Sequence, residues 1–248
     1  MTTLLYDSTF EGLMTAVFEV FEYKYDVVEI VAQQNYSQEN FFAETHEVIT
    51  DFTKSDRVLK KLEENLGKQG ISQLMMVYFS ERKDLERLIL SAVWHSIKHP
   101  KQNILQDFGN EDILEISKIC RSVSRERHRM LAFVRFELLQ DEVYFAKIEP
   151  DFNVLPLIRK HFKERYADQK WMIFDLKRHY GIFYDLKEVH FFTPDSSQLQ
   201  NFRNSEQFHH EEEKKYQKLW QRYFVKTGIP ERKNMKLHIQ WVPKRYWK

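Results

Sequence analysis

The chain has 248 residues, of which 42% are hydrophobic and 15% aromatic, whereas glycine and proline occur only six times each. This composition is that of a folded protein with one large domain or two small ones, and it excludes long disordered stretches. The single cysteine, Cys120, excludes an internal disulfide and any zinc or iron–sulfur site made only of cysteines. No apolar run approaches the roughly 20 residues that span a bilayer. The N-terminus lacks the features of a signal peptide, so we expect a cytoplasmic protein with no membrane partner.

The net charge of +1 conceals a gradient along the chain. Residues 1–66 contain 13 acidic and 5 basic residues, a net charge of −8. Residues 214–248 contain 11 basic residues and one acidic residue, a net charge of +10. A basic end of this kind often binds an anion, and nucleic acid is the most common large anion. The alternative is that the two ends neutralise each other in the folded protein.

Helical periodicity dominates residues 1–120. The first helix is marked by the capping-box pattern STFE at 8–11, followed by apolar residues at helical spacing up to Phe21. Gly67 and Pro100 are predicted to end later helices. We predict strands at 27–32 and 47–50, and helices at 55–67, 74–79, 84–97 and from 111 onward.

The hydrophobic pattern changes near residue 130. From there it alternates with period two, which predicts paired strands, except that one stretch returns to helical spacing. The expected fold class is therefore α+β. A mostly helical region at 1–120 precedes a ββαββα region with an antiparallel sheet at 121–248, either as two domains or as one. We predict strands at 131–138, 143–148, 170–176 and 181–192, and helices at 154–166 and 209–228.

The stretch RSVSRERHR at 121–129 is rich in arginine. On a helix Arg121, Arg125 and Arg129 fall on one face, with His128 beside them. These arginines would extend over about 12 Å, enough to contact more than one phosphate of a nucleic-acid backbone. A solvated basic face without a ligand is the alternative.

The octet RMLAFVRF at 129–136 matches six of the eight positions of the strand signature of RNA-recognition domains. Met130 and Leu131 stand where that signature requires glycine and a base-stacking aromatic residue. Helices are predicted where such a domain needs an earlier βαβ segment. We therefore expect an ordinary strand, in which Arg135 adds to the nucleic-acid-binding residues and Phe133 could meet a base.

Two carboxylates and a lysine match a loose nuclease pattern. Pro150–Asp151 is followed by Asp175 and Lys177, an arrangement in which the carboxylates hold Mg²⁺ and the lysine assists. These three residues are the catalytic candidates, although so loose a pattern occurs often by chance. Asp151 also fits the cap of the helix predicted to begin near residue 154. Apart from this pattern, the sequence predicts neither a metal site nor a cofactor.

The C-terminal octet WVPKRYWK combines cations with aromatic rings. Lys244 and Arg245 can attract phosphate, and Tyr246 offers a stacking face to an unpaired base. These residues complete the predicted nucleic-acid-binding set. The alternative is that the aromatic residues dock the tail into the core while the cations stay in solvent.

Several separated segments, in the same order, resemble those of one bacterial family. They are YDSTFEGLMTAVFEVFE, RERHRMLAFVRF, IEPDFNVLPLI with HFKERY, KWMIFD and ERKNMKLHIQWVPKRYWK. The family consists of uncharacterised proteins assigned to DNA metabolism or DNA repair, and the resemblance covers nearly the full chain. Its members are typically encoded beside a radical-SAM protein of DNA repair or modification, and some are fused to a uracil-DNA-glycosylase-like domain. The resemblance implies a stand-alone subunit, with the radical chemistry in another polypeptide.

These features predict a DNA-associated accessory subunit, with DNA and a radical-SAM enzyme as its partners. A metal-dependent DNA-processing enzyme that uses Asp151, Asp175 and Lys177 is one alternative. A non-catalytic adaptor whose basic tail binds an acidic protein is another. The three predictions differ in whether the purified protein binds DNA, cleaves it or binds only a protein.

Overall fold

The computed structural model describes residues 2–25, 28–36, 44–100 and 102–195, together with residues 197, 199 and 202. The chain forms two compact units, Met1–Ser124 and Arg125–Lys248. A mostly helical half precedes a half that contains most of the strands, so the predicted α+β fold class is confirmed. Among the described helices, none has both the length and the apolar character needed to cross a membrane.

The first unit contains a small sheet in which all strands are parallel. Its central strand is β1 (Thr2–Tyr6), which lies between β2 (Val28–Ala32) and β3 (Glu44–Glu47). Helix α1 (Phe10–Glu22) connects β1 to β2. Leu4 of β1 is fully buried, so the sheet forms part of the core of this unit.

The predictions of two strands in this region differ in how well they agree with the structure. The predicted strand at 27–32 agrees with β2, whereas the strand predicted at 47–50 lies too far along the chain, because β3 ends at Glu47. The amide of Val48 still donates a hydrogen bond to the carbonyl oxygen of Leu5 at 2.8 Å, which extends the pairing by one residue. Strand β1 was not predicted at all.

Three long helices follow: α2 (Phe52–Tyr78), α3 (Leu85–Lys98) and α4 (Glu111–Phe133). Gly67 interrupts α2 with a φ of 69° and a ψ of 175°, a conformation that glycine adopts without a steric penalty. The predicted end of a helix at Gly67 therefore corresponds to a break. The helix resumes after it, so the helix predicted at 74–79 is the last part of α2.

Helix α4 extends further than the sequence predicts. It continues to Phe133, so the prediction of a strand at 131–138 is wrong for most of its length. Only Glu137–Leu138 forms a strand, β4. Met130 of the octet is buried seven positions after the buried Val123, a spacing that places both on one side of a helix, so the start of the octet continues the buried side of α4.

The second unit contains a five-stranded sheet in which the strands lie in chain order, from β4 to β8. Three of its four pairings are antiparallel, as predicted. Strands β5 and β6 pair in parallel, because helix α5 connects them as a crossover. The elements after β4 are β5 (Tyr144–Ile148), α5 (Leu155–Arg165), β6 (Trp171–Asp175), β7 (Tyr180–Tyr184) and β8 (Val189–Phe192).

The single strand predicted at 181–192 is two strands joined by a turn. Oδ1 of Asp185 accepts hydrogen bonds from the amides of Lys187 and Glu188, at 2.8 and 2.7 Å, and these bonds fix the turn. The hydrogen bond from the Glu188 amide is the main cause that holds the pKa of the Asp185 carboxyl well below its usual range. The helix predicted at 209–228 lies outside the described residues.

Aromatic side chains pack on both faces of this sheet. On the face that α5 covers, the Trp171 ring lies 6.1 Å from that of Phe162 and 5.5 Å from that of Tyr184. On the opposite face, Phe174 stacks on Phe202 with 4.6 Å between ring centroids. The central strands are buried on both sides, which explains why their sequences are almost continuously apolar.

Gly181 of β7 lies under the ring of Phe192. A Cβ atom at this position would lie 2.4 Å from the nearest atom of that ring and 2.9 Å from the carbonyl oxygen of Ile173. Because a packed ring and a backbone oxygen cannot move freely, we expect Gly181→Ala to lower the free energy of unfolding by about 1–3 kcal/mol. Denaturant unfolding measures the loss, and an unchanged midpoint would contradict this packing.

Cys120 lies on the buried side of α4, with 8% of the residue exposed. Its thiol donates a weak hydrogen bond to the carbonyl oxygen of Gln73 at 3.5 Å, and burial raises its pKa to about 11. Because the thiolate is the reactive form, we expect Ellman's reagent at pH 8 to react about a hundredfold more slowly than with a free cysteine. Reaction in denaturant is the control, and fast reaction of the native protein would contradict the burial.

Candidate nucleic-acid interface

The arginine-rich stretch at 121–129 is helical, as predicted, because it lies entirely within α4. Arg121, Arg125 and His128 are exposed to solvent, and Arg129 is partly exposed. The three arginines are one helical turn apart, so they follow one side of the helix over about 12 Å. We call these four residues the α4 basic face.

Glu126 is a buried carboxylate on α4, with only 2% of the residue exposed. Its Oε1 accepts a hydrogen bond from the amide of Asp151 at 3.0 Å, and its Oε2 lies 4.0 Å from Nη1 of Arg129. Arg129 therefore contributes to the fold through its contact with Glu126. The members of the α4 basic face that are most accessible to a ligand are Arg121, Arg125 and His128.

The octet RMLAFVRF places its aromatic residues in different surroundings. Phe136 is partly buried, and its ring packs 5.6 Å from that of Phe162 and 5.4 Å from that of Tyr166. Phe133, at the end of α4, is 38% exposed. Arg135 is also exposed, but it lies in the segment between α4 and β4 and not in a strand as predicted. Of the two phenylalanines, Phe133 is the one that a base could reach.

The catalytic candidates Asp151, Asp175 and Lys177 lie near one another, but the carboxylate of Asp175 is fully engaged. Its Oδ1 accepts hydrogen bonds from the amides of Lys177 and Arg178, at 2.9 and 3.1 Å. Its Oδ2 forms an ion pair with Nη1 of Arg178 at 2.9 Å, and Asp175 is fully buried. Lys177 Nζ donates to the carbonyl oxygen of Asp151 at 2.9 Å. Within the described ranges, no group of three or more His, Cys, Asp or Glu residues could hold a metal ion.

Arg178 lies in the turn between β6 and β7 and joins this turn to the loop before α5. Its Nη1 donates to the carbonyl oxygen of Pro150 at 3.2 Å, and its Nη2 donates to that of Asp151 at 3.0 Å. The amide of Asp151 is bound by Glu126, so the same loop is held from α4 as well. We call Glu126, Asp175 and Arg178 the loop clamp. It connects the second half of α4 to the turn between β6 and β7.

Asp151 does not cap α5, so that alternative prediction is wrong. The N-cap residue is Val154, which makes no capping hydrogen bond through its side chain. Pro156 lies in the first turn of α5, where the missing amide hydrogen costs no helical hydrogen bond. The side chain of Asp151 is exposed, while its amide donates to Glu126 and its carbonyl oxygen accepts from Arg178.

Sequence reasoning missed the loop clamp, although one signal for it exists. Glu126 lies three residues after Val123 and four before Met130, both buried, and a carboxylate at such a position needs a buried partner. Arg178 carries only part of such a signal: its ion pair with Asp175 spans three residues, whereas the carbonyl oxygens of Pro150 and Asp151 that it binds lie 28 and 27 residues away. Lys244, Arg245 and Tyr246 lie outside the described residues, so their place in the interface stays a prediction.

Comparison with known families gives one finding about the region that contains this interface. A family model described as a domain of unknown function, DUF4130, matches residues 81–248, more than half of the chain. The chain belongs to the DUF4130 family. The DUF4130 match includes the α4 basic face, the loop clamp and every other predicted site residue, whereas the parallel sheet and α2 precede it. Among curated proteins, none matches the chain.

Proposed function

We propose that this chain is a DNA-associated accessory subunit of a separate radical-SAM enzyme of DNA repair or modification. The observation that carries the proposal is the α4 basic face, on which Arg121, Arg125 and His128 are exposed. The segments that resemble a bacterial family associated with DNA repair support the choice of enzyme partner. The proposal assigns DNA binding to the DUF4130 region.

A row of guanidinium groups along a helix suits a nucleic-acid backbone. Arginine donates paired hydrogen bonds to phosphate oxygens and keeps its charge at any physiological pH. Neighbouring arginines of the α4 basic face are about 6 Å apart along the helix axis, so they can contact different phosphates. Phosphate contacts carry no base information, so binding is expected to be independent of sequence. Phe133 could add stacking on an unpaired base.

The loop clamp gives this face a rigid support. Glu126 lies between Arg125 and His128 in sequence, and its hydrogen bond to the Asp151 amide ties this part of α4 to the loop before α5. Arg178 holds the same loop from the β6–β7 turn. Side chains on a fixed helix lose less freedom when they bind than side chains on a mobile loop, which favours binding.

In this proposal the radical chemistry belongs to the partner. Iron–sulfur clusters are held by several cysteine thiolates, and this chain has the single, buried Cys120. The role of the chain is to bind DNA and present it to the enzyme.

A metal-dependent nuclease is less well supported by the geometry. Mg²⁺ binds through carboxylate oxygens that are open to it. Both oxygens of Asp175 are already bound to Arg178 and to backbone amides. To take part in catalysis, Asp175 would have to exchange these partners for a metal ion.

Co-purification tests both parts of the proposal. The tagged chain is co-expressed with a radical-SAM protein of the kind encoded beside members of the family that the chain resembles, and each protein and the pair are mixed with labelled duplex DNA. We expect the two proteins to elute as one complex, and the chain to retard DNA in a gel both alone and in the complex. A complex that does not retard DNA would favour the alternative of a non-catalytic adaptor. DNA binding without a complex would rule out the radical-SAM protein as the partner.

A further inference from the structure

The first unit contains a cavity that has no part in the proposed DNA interface. It lies between α1, α2 and α3 and has a volume of about 490 Å³, within the range that holds small organic ligands. Side chains from all three helices form its mainly apolar wall, among them Phe18, Phe21, Val58, Leu62, Val93 and Ile97.

The cavity has a buried floor and an exposed rim. Leu62 and Val93, at 2% exposure each, form the floor. Ile97 is 43% exposed at the rim, and Trp94, whose ring lies 4.4 Å from that of Phe21, is 39% exposed beside it. A ligand that covers this concave apolar surface removes it from water, which favours binding by hydrophobic burial.

Two cations line the same cavity on α2. Arg57 and Lys61 are one helical turn apart, so they lie on the same side of the helix. The guanidinium of Arg57 lies over the ring of Phe18, 4.9 Å from its centroid, and no carboxylate pairs with it in the part of the chain that the structure describes. Lys61 pairs with Glu64 at 3.2 Å, but both side chains are more than half exposed, so this pair is weak.

Glu22 also lines the cavity, and it shares the ammonium group of Lys54 with Glu19. Its Oε2 accepts a hydrogen bond from Nζ of Lys54 at 3.0 Å. The same ammonium group donates to Glu19 at 3.0 Å. The hydrogen bonds with Glu22 and Glu19 raise the pKa of Lys54, so the lysine stays charged and paired. The cations of the lining are Arg57 and Lys61, and Arg57 is the one that no carboxylate pairs with among the described residues.

We propose that this cavity binds a small amphipathic anion, an elongated apolar molecule that carries one carboxylate or similar group. Its apolar part lies against Phe21, Leu62 and Val93, and its anionic group pairs with Arg57 and Lys61. Most of the site comes from α1 and α2, which precede the DUF4130 match, so this inference is independent of the proposed DNA binding.

Isothermal titration calorimetry of the full chain tests the proposal with two probes of equal chain length and opposite charge. These are dodecanoate and dodecyltrimethylammonium, each below its critical micelle concentration. We expect dodecanoate to bind with one-to-one stoichiometry and at least about fivefold more tightly, the factor that a favourable surface charge interaction supplies. Equal affinity for the two probes, or no saturable binding of dodecanoate, would overturn the proposal.

A pair of charge reversals on α2 locates the site. Arg57→Glu is expected to weaken dodecanoate binding by at least about tenfold and to strengthen binding of the cationic probe, since attraction becomes repulsion. Lys60→Glu is the matched control, because Lys60 is exposed on the same helix but does not line the cavity. Both substitutions are at exposed positions, and circular dichroism checks that the fold is kept. If Arg57→Glu has no greater effect than Lys60→Glu, the assigned site is wrong.

Discussion

Replacing Arg178 by methionine is expected to lower the free energy of unfolding by about 3–5 kcal/mol. The substitution leaves the carboxylate of Asp175 fully buried without the guanidinium that now lies 2.9 Å from it. It also removes the hydrogen bonds to the carbonyl oxygens of Pro150 and Asp151. An unpaired buried charge costs far more free energy than an exposed one, because no solvent compensates it. Denaturant unfolding followed by circular dichroism measures the loss.

Lys177→Met is the matched control for this substitution. Lys177 is the neighbouring residue and donates to the same carbonyl oxygen of Asp151 at 2.9 Å, but its side chain is exposed. We expect a loss below about 1 kcal/mol, because water replaces an exposed hydrogen bond. Equal losses for Arg178→Met and Lys177→Met would contradict the loop clamp.

The loop clamp and a nuclease site predict different results for Asp175→Asn. If Asp175 serves the fold, the variant is destabilised, because Arg178 loses its ionic partner in a buried site. If Asp175 holds a catalytic metal ion, the variant loses metal-dependent cleavage while the unfolding midpoint stays the same or rises. We expect the first result, and the second would restore the nuclease as the better account.

Replacing Arg121, Arg125 and Arg135 together by alanine is expected to weaken DNA binding by at least about tenfold at 0.1 M salt. All three are exposed, and circular dichroism checks that the fold of the variant is kept. Arg129 is left in place because it lies 4.0 Å from Glu126 of the loop clamp, and its loss would disturb the fold. Phosphate contacts are lost equally for every base sequence, so the affinities for duplexes of unrelated sequence should fall by the same factor in anisotropy titrations.

A variant with Lys60, Lys68 and Lys98 replaced by alanine controls for net charge. These lysines are exposed on α2 and α3 in the first unit, and their removal changes the formal charge by the same amount. We expect the affinity for DNA to fall less than about threefold, since only long-range attraction is reduced. Equal losses in the two triple variants would mean that DNA responds to total charge and not to the α4 region.

Patterns of neighbouring residues predict those parts of the fold that depend on neighbouring residues alone. The capping-box pattern at 8–11 predicts the start of α1 to within one residue: it makes Ser8 the N-cap, whereas Thr9 is the N-cap and accepts a hydrogen bond from the amide of Gly12. Gly67 has the positive φ expected at a helix break. Strand β1 depends on partners more than twenty residues away, and so does the parallel pairing of β5 with β6, so neither follows from a local pattern.

The same distinction holds for the candidate interface. The i, i+4 spacing of Arg121, Arg125 and Arg129 fixes one side of a helix whatever the tertiary structure, so the α4 basic face could be predicted. Whether Asp175 binds a metal ion or an arginine depends on which residues lie across the turn. A sequence with a carboxylate and a cation at these positions is compatible with a metal site and with an ion pair. Only the position of the Arg178 side chain in the structure distinguishes the two.

The dependence of DNA affinity on salt concentration tests the central claim most directly. If Arg121, Arg125 and Arg135 each bind a phosphate, the logarithm of the association constant should fall linearly with the logarithm of the salt concentration, with a slope of about −3 for duplex DNA. Each arginine replaced by alanine should reduce the size of this slope by roughly one. An affinity that does not change with salt, or no binding at about 50 mM salt, would contradict the proposal that this chain is a DNA-binding subunit.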